Sequence, residues 1–440
     1  MLTQNQSLGT LIAQSLFSDF TNSFQEVFIM NSGDTAWVLT SSALVLLMTI
    51  PGLAFFYGGL VRRKNVLSIL MQCLIILCVI TLQWVLYGYS LTFGPDAWNG
   101  IIGNLDWAGL RNVGGQPNTD YAATIPHYAF MIFQCMFAVI TPALIIGTYA
   151  ERIKFSAFLA FTILWATFVY NPLGHWVWGM GGWLRDLGAL DFAGGIVVHT
   201  SSGVSALVLA LLIGKRIGFE KRAFTPHNLP FTVLGGALLW FGWFGFNAGS
   251  ALAANELAAT AFVTTTVATA AAGLSWAFIE WQQNGTPTAL GAVSGAVAGL
   301  VAITPACGFV NPMNAIFIGM IASIFCYIAI AKVKSYFKYD DALDVFGIHG
   351  VGGIWGTLAT GLFAEKAVND AGANGLLFGN VHLFLVQCLL VAVTIVFAAS
   401  MTWIIFKLVD ALMCVRVEKT KEIVGLDLTQ HSESAYTLVD

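Results

Sequence analysis

The chain has 440 residues, 57% of them hydrophobic and only 10% charged, with a mean hydropathy of +0.77. A soluble domain carries roughly a quarter charged residues, so this composition excludes a wetted globular surface. A net charge of −4 gives no nucleic-acid signal. Apolar runs of about 20 residues, rather than alternating stretches of about 10, disfavour a β-barrel and leave an all-α polytopic membrane protein.

The first 35 residues hold no Lys or Arg, and Gln14, Ser15, Ser18 and Asp19 interrupt any signal-peptide core. Leu8, Ile12, Leu16, Phe20, Phe24 and Phe28 recur every fourth residue. That pattern suits an amphipathic helix at a membrane interface, with a disordered tail as the alternative. Eleven spans follow, at roughly 36–58, 66–93, 125–148, 156–174, 191–213, 229–249, 256–280, 288–306, 313–332, 344–364 and 381–408. All Lys and Arg except Arg111, Arg185 and Lys366 fall in loops after odd-numbered spans or in the C-terminal region. Positive residues stay inside, so the N-terminus is expected outside and the C-terminus in the cytoplasm. The chain divides into an outer tail (1–35), a membrane transport domain (36–408) and a cytoplasmic regulatory tail (409–440). On composition that last segment is a solvated arm with docking potential, and the basic loop 214–228 is another candidate partner surface.

The seven cysteines show no metal-ligand spacing and imply no disulfide framework. No nucleotide loop, metal cluster or nucleophilic triad stands out, so neither an enzyme nor a bound cofactor is expected. The chemistry concentrates instead on His199 in GGIVVHTSSG and His349 in DVFGIHGVGG. A single buried His is explained equally well by a hydrogen bond between helices. Two of them, on the fifth and tenth spans, favour a transport or proton-handling site. Both spans open with Asp, glycines and His, as an inverted repeat of five plus five spans plus one extra helix would. Buried imidazoles disfavour a charge and can share one proton, which suits a small polar solute. Measured from Asp191 and Asp344 along helices rising 1.5 Å per residue, the pair stands about 10 Å apart in a core about 30 Å thick. The two can touch only if both helix starts are sunk below the membrane surface.

Asp191 and Asp344 are read first as N-caps, and Asp191 also as a source of negative potential toward cations. Phe133 and Phe137 lie one helical turn apart, HWVWG carries Trp178, and WFGFNAGS carries Trp243, Phe246 and Ser250. Each aromatic alone suits an interfacial belt. Clustered near a hydroxyl, they would bind a small cation at about 0.5–2 kcal/mol per ring.

DFAGGIVVHTSSGVSALVLALLIGKR (191–216) closely resembles the signature of ammonium transporters, the Amt/Mep branch of the Amt/Mep/Rh family. Similar matches are GDTAWVLTSSALVLLMTIPGLAFFYGGLVRRKN (33–65), FQCMFAVITPALIIGTYAERIKFSAF (133–158), 228–265, SGAVAGLVAITPACG (294–308) and DDALDVFGIHGVGGIWG (340–356). The resemblance runs from about 33 to 436 and implies a homotrimer with one pore per subunit in the cytoplasmic membrane, carrying ammonium or its analogue methylammonium. It also implies that Phe137, Trp178 and Ser250 recruit ammonium outside, with Asp191 supporting them. Phe137 and Phe246 would form a gate, and His199, His349, Trp243 and Thr304 would line the pore. The GLD…HSESAY tail resembles an arm that meets PII-type signal proteins. Residues 1–32 and the 94–123 loop depart from the family pattern, away from the conduction path. A non-transporting ammonium sensor of the same fold is the alternative, which an attached signalling domain would favour; none is recognisable after residue 409. The pairing of Trp178 with Ser250 argues against an Rh-like gas channel.

Overall fold

The computed structural model describes residues 30–221 and 223–436; the apolar recurrence from Leu8 to Phe28 lies outside them. Among the described residues the fold is nearly all helical, with three isolated β-bridges and no strand. Nine helices among the described residues are long and apolar enough to cross a membrane: α1 (Ser32–Leu60), α2 (Arg63–Phe93), α3 (His127–Tyr149), α4 (Phe155–Asp186), α5 (Gly195–Ile213), α6 (Leu229–Ala251), α7 (Glu256–Asn284), α9 (Pro312–Phe337) and α11 (Val381–Met413). Two shorter apolar helices, α8 (Ala289–Ile303) and α10 (346–363), pack among them. Short helices α12 (Lys419–Val424) and α13 (Leu426–His431) follow α11.

A helix end in an apolar medium must satisfy its own free N–H groups. Here Asn31, Asn228, Asn255, Asn311 and Asn380 accept from the first turns of α1, α6, α7, α9 and α11, and Thr288 from that of α8. Glycine then lets these helices close on each other. A Cβ on Gly295 would stand 2.5 Å from Trp276 Cβ, and one on Gly299 2.5 Å from Ala272 Cβ, so α8 lies directly against α7.

The same device sets the central crossing. A Cβ on Gly203 of α5 would meet Gly350 N at 2.1 Å, and one on Gly353 of α10 would meet Thr200 N at 2.8 Å. Gly203 and Gly353 are 150 positions apart, as are Thr200 and Gly350, so the contacts are reciprocal, as a local two-fold axis requires. Partners fall in number along α10 as they rise along α5, so the two helices pass antiparallel.

The acidic caps obey the same offset, and here the sequence reading needs correction. Asp191 Oδ2 accepts from Ile196 N at 2.9 Å, and its counterpart is Asp341, whose Oδ2 accepts from Phe346 N at 2.8 Å. Asp344 is not the cap. Its backbone is left-handed (φ 60°) and its carboxylate pairs with Lys334, which reaches it from the end of α9. Asp191 and Asp341 each precede their histidine by eight residues.

At the basic end of the bundle, Glu151 accepts from Arg62 N and Nε at 2.8 Å each, with Arg216 3.6 Å away. Asp340 binds Arg152 at 2.7 Å and Arg216 at 2.8 Å. Burial pushes both carboxyls up, but hydrogen bonds and charge from these arginines prevail and hold each below the usual carboxylate value. The tail is not the solvated arm its composition suggests. Glu422 accepts from Ile217 N at 2.7 Å, Asn65 accepts from Leu426 N at 2.8 Å and Asp427 accepts from Ser68 N at 2.8 Å. Gln430 accepts from Phe155 N at 3.2 Å, and Tyr436 OH lies 3.0 Å from His227 Nε2. Its Glu422, Asp427 and Gln430 satisfy backbone N–H groups in the 214–228 loop and at the starts of α2 and α4, and Asn65 in turn satisfies the tail's own Leu426 N–H.

Two measurements test this frame. Gly203→Ala is expected to lower stability by about 1–3 kcal/mol, because neither backbone at the crossing can yield. Gly114→Ala, at a position with nothing within 4 Å, serves as the neutral control in thermal unfolding of the purified protein. The second concerns pH. A carboxyl held low stabilises above its ordinary value of about 4 and stops doing so as pH falls through the folded value. The Tm difference between wild type and Asp340→Asn is therefore wide at pH 7 and closes below about pH 4.

Candidate functional site

The site starts from two helix ends buried inside the protein. Asp191 spends its carboxylate on four N–H groups, accepting from Gly194 at 3.0 Å, Gly195 at 2.6 Å, Ile196 at 2.9 Å and Val197 at 3.1 Å. Gly194, at φ 110°, makes the left-handed turn that brings these donors together. Gly195–Thr200 and Phe346–Gly350 then wind as wide π-type turns, a geometry that recurs at functional positions. His199 and His349 sit in these turns, 1% and 4% exposed. As required of sunken helix starts, they touch, with Nδ1 to Nδ1 3.3 Å and the rings inclined by 21°. A hydrogen bond between two such nitrogens needs one N–H and one lone pair. The donating ring then presents a bare Nε2 and the accepting ring an Nε2–H. His199 Nε2 is buried and meets no polar partner among the described residues.

From this pair an aromatic column leads away. Trp243 lies 5.3 Å from His199, near parallel at 23°. Its indole N–H donates to Thr304 Oγ1 at 2.9 Å, and that hydroxyl donates to Leu300 O at 2.7 Å. Thr304 thus stands behind Trp243 and fixes its ring. Phe246 is 6.0 Å from His199 and stacks on Phe137 with centroids 4.2 Å apart at 18°. Both phenyl groups are buried. Trp178 meets Phe137 edge-on at 6.0 Å and 90°, and Phe133 packs against Phe137 at 5.0 Å.

The rim is where exposure begins, since Trp178 and Ser250 are both half-buried. Trp178 Nε1–H donates to the Asp191 carbonyl at 2.9 Å, so its π face remains as its offering. Ser250 donates its hydroxyl hydrogen to Phe246 O at 2.8 Å, leaving oxygen lone pairs for an incoming donor. A π face combined with a hydroxyl acceptor is suited to a small N–H cation. Asp191, its carboxylate bound to backbone N–H groups, holds Trp178 in place through its carbonyl rather than reaching outward.

The nine residues to which the resemblance gives a role therefore belong to one continuous chain of contacts, whereas Asp344, also singled out, pairs with Lys334. Sequence reasoning missed Asp341, although the shared eight-residue spacing to each histidine was a readable signal. It also missed the reciprocal Gly203 and Gly353, visible only as paired residues 150 positions apart. Among the described residues no group of three or more His, Cys, Asp or Glu could hold a metal ion.

The model of the Ammonium Transporter Family matches residues 36–436. The chain is 54% identical over 407 residues to an ammonium transporter of Bacillus subtilis, covering 92% of this chain and 99% of that one. The crystal structure of Candida albicans Mep2 superposes with a TM-score of 0.84 at 35% identity, covering 92% of this chain and 90% of that one. A structure described as a sensor Amt protein gives a TM-score of 0.83 at 30% identity, covering 91% and 98%. With a family model spanning nearly its whole length and a relative at this identity, the chain belongs to the ammonium transporter family.

Proposed function

We propose that this protein carries ammonium across the cytoplasmic membrane, docking the cation at the rim and passing it on as neutral ammonia. The observation that carries the reading is the buried, unpartnered Nε2 of His199 at the foot of an aromatic column. A polar group left without a partner in an apolar interior calls for an explanation, and a passing hydrogen-bonding solute supplies one.

Ammonium docks against the Trp178 and Phe137 rings and donates to Ser250 Oγ. Beyond Phe137 and Phe246 the next side chains of the column, Trp243, His199 and His349, carry no negative charge, and an isolated charge at mid-bilayer costs from about 3 to more than 10 kcal/mol. Desolvation therefore favours loss of a proton at the phenyl pair. The N–H electron pair stays on nitrogen, and the proton goes to outer water or into the imidazole pair. Ammonia, both donor and acceptor, then passes the histidines, whose shared hydrogen gives it one nitrogen lone pair and one N–H to bond.

In this reading α8 and α10 also cross the membrane. That gives eleven spans in two inverted halves plus α11, with the N-terminus outside and the C-terminus cytoplasmic. The skew of Lys and Arg and the reciprocal crossing of α5 and α10 support it. Membership of the family supports a homotrimer with a pore in each subunit. The tail seated on the 214–228 loop and the starts of α2 and α4 supports a cytoplasmic face that a PII-type protein would meet. The second reading, an ammonium sensor without net flux, is favoured by the likeness to the sensor Amt structure.

Liposomes containing the purified protein separate the two. Ammonium- and methylammonium-driven flux well above that of empty vesicles is expected, and its absence leaves the sensor. Trp178→Ala is expected to raise the half-saturating ammonium concentration roughly 2- to 30-fold, the range of one cation–π contact. His199→Ala opens space beside Trp243 for water, and selectivity for ammonium over potassium is expected to fall by roughly tenfold or more as the penalty on a bare charge relaxes. Unchanged flux together with unchanged selectivity in that variant removes proton release from the mechanism. Current recorded beside ammonia flux shows where the proton goes.

A further inference from the structure

We propose that the 94–123 loop positions the docking tryptophan: Asp96 acting through His175, and Tyr121 acting through Met180, grip α4 on either side of Trp178 and set how firmly a cation is held there. The proposal rests on the docking reading given above. Departure from the family pattern places this loop away from the conduction path, yet in the fold it closes on the turn that follows Trp178.

The first grip lies before the indole. His175 stands one helical turn ahead of Trp178 and is fully buried. Its Nδ1–H donates to Thr92 O at 2.9 Å, and its Nε2 lies 3.2 Å from Asp96 Oδ1. Burial pushes the Asp96 carboxyl up, but the Gly100 N–H, which donates to it at 2.8 Å, and the His175 ring prevail and hold it below its usual value. The ring thus faces an acceptor on each side and donates to both, which makes the contact to Asp96 charge-assisted. Gly179 leaves the ring its room, since a Cβ there would stand 2.4 Å from His175 Nδ1.

The second grip lies after the indole. Tyr121 OH accepts from Met180 N at 2.9 Å and donates to Phe93 O at 2.8 Å. Between the two grips the backbones touch. Gly100 O accepts from Trp183 N at 3.3 Å, and a Cβ on Gly100 would meet that nitrogen at 2.6 Å. The indole N–H keeps its own bond to Asp191 O, so what the loop governs is where the backbone under the ring stands. Attraction of a cation to a π face depends on that placement.

Concentration-dependent ammonium flux into liposomes containing the full-length protein tests this. Asp96→Ala is expected to raise the half-saturating concentration roughly 2- to 10-fold at unchanged maximal flux, within the limit set by losing the indole outright. Asp96→Asn should restore the wild-type value, because its amide accepts from Gly100 N and donates to a neutral His175 ring. In a Trp178→Ala background Asp96→Ala should add nothing, since the group it places is gone. Tyr121→Phe repeats the measurement from the other grip should Asp96→Ala fail to fold. An unchanged half-saturating concentration, a fall in maximal flux alone, no rescue by Asp96→Asn, or an effect that adds to that of Trp178→Ala each overturns the proposal. Hydrogen exchange over 176–186 keeps it separate from the transport reading. If wild type carries no flux, that reading fails, while faster exchange in Asp96→Ala upholds the grip and equal exchange removes it.

Discussion

Burying a helix start is the constraint from which the rest of this structure follows. Four free N–H groups at the head of α5 would each be costly in an apolar interior. Asp191 gathers all four. With that end satisfied, the helix begins within the protein rather than at its surface, and a histidine in its first turns reaches the middle of the bundle. Asp341 does the corresponding service for α10. Two acids bound to backbone N–H groups thus decide where the imidazoles lie.

The glycines complete what the acids begin. Gly203 and Gly353 let the two backbones touch, so the imidazoles meet at 3.3 Å. Around them the polar atoms of the aromatic column are spent on fixed partners: Trp243 on Thr304, Trp178 on the Asp191 carbonyl, the Ser250 hydrogen on Phe246 O. What remains facing inward is π surface, a hydroxyl lone pair and imidazole nitrogen. Such a lining gives a permanent cation weak compensation beyond the rim, while it can still hydrogen-bond a neutral amine.

Much of this was legible in the chain itself. Hydropathy located most ends of the apolar helices to within about five residues, because a helix crossing hydrocarbon has little freedom in length or composition, although α4 runs to Asp186 where 174 was expected. The histidines announced themselves as titratable groups in apolar runs, and the aromatic residues through their family resemblance. The misreadings share a cause. Choosing Asp344 over Asp341 as the cap depended on Lys334, which claims Asp344 only after α9 and α10 have folded side by side. Reading the tail as solvated ignored that its acids and its Gln430 amide match backbone N–H groups more than two hundred residues away in sequence. Local pattern does not encode partners chosen across the fold.

The stacked phenyl groups carry one more implication. Faces 4.2 Å apart leave no room between Phe137 and Phe246, so under the proposed transport reading a solute crosses only when a ring swings aside and then returns. Each passage then becomes a discrete stroke timed by side-chain rotation in a tightly filled neighbourhood. Bulkier alkylated amines, needing a wider swing, ought to travel more slowly even where they dock as firmly as the parent ion.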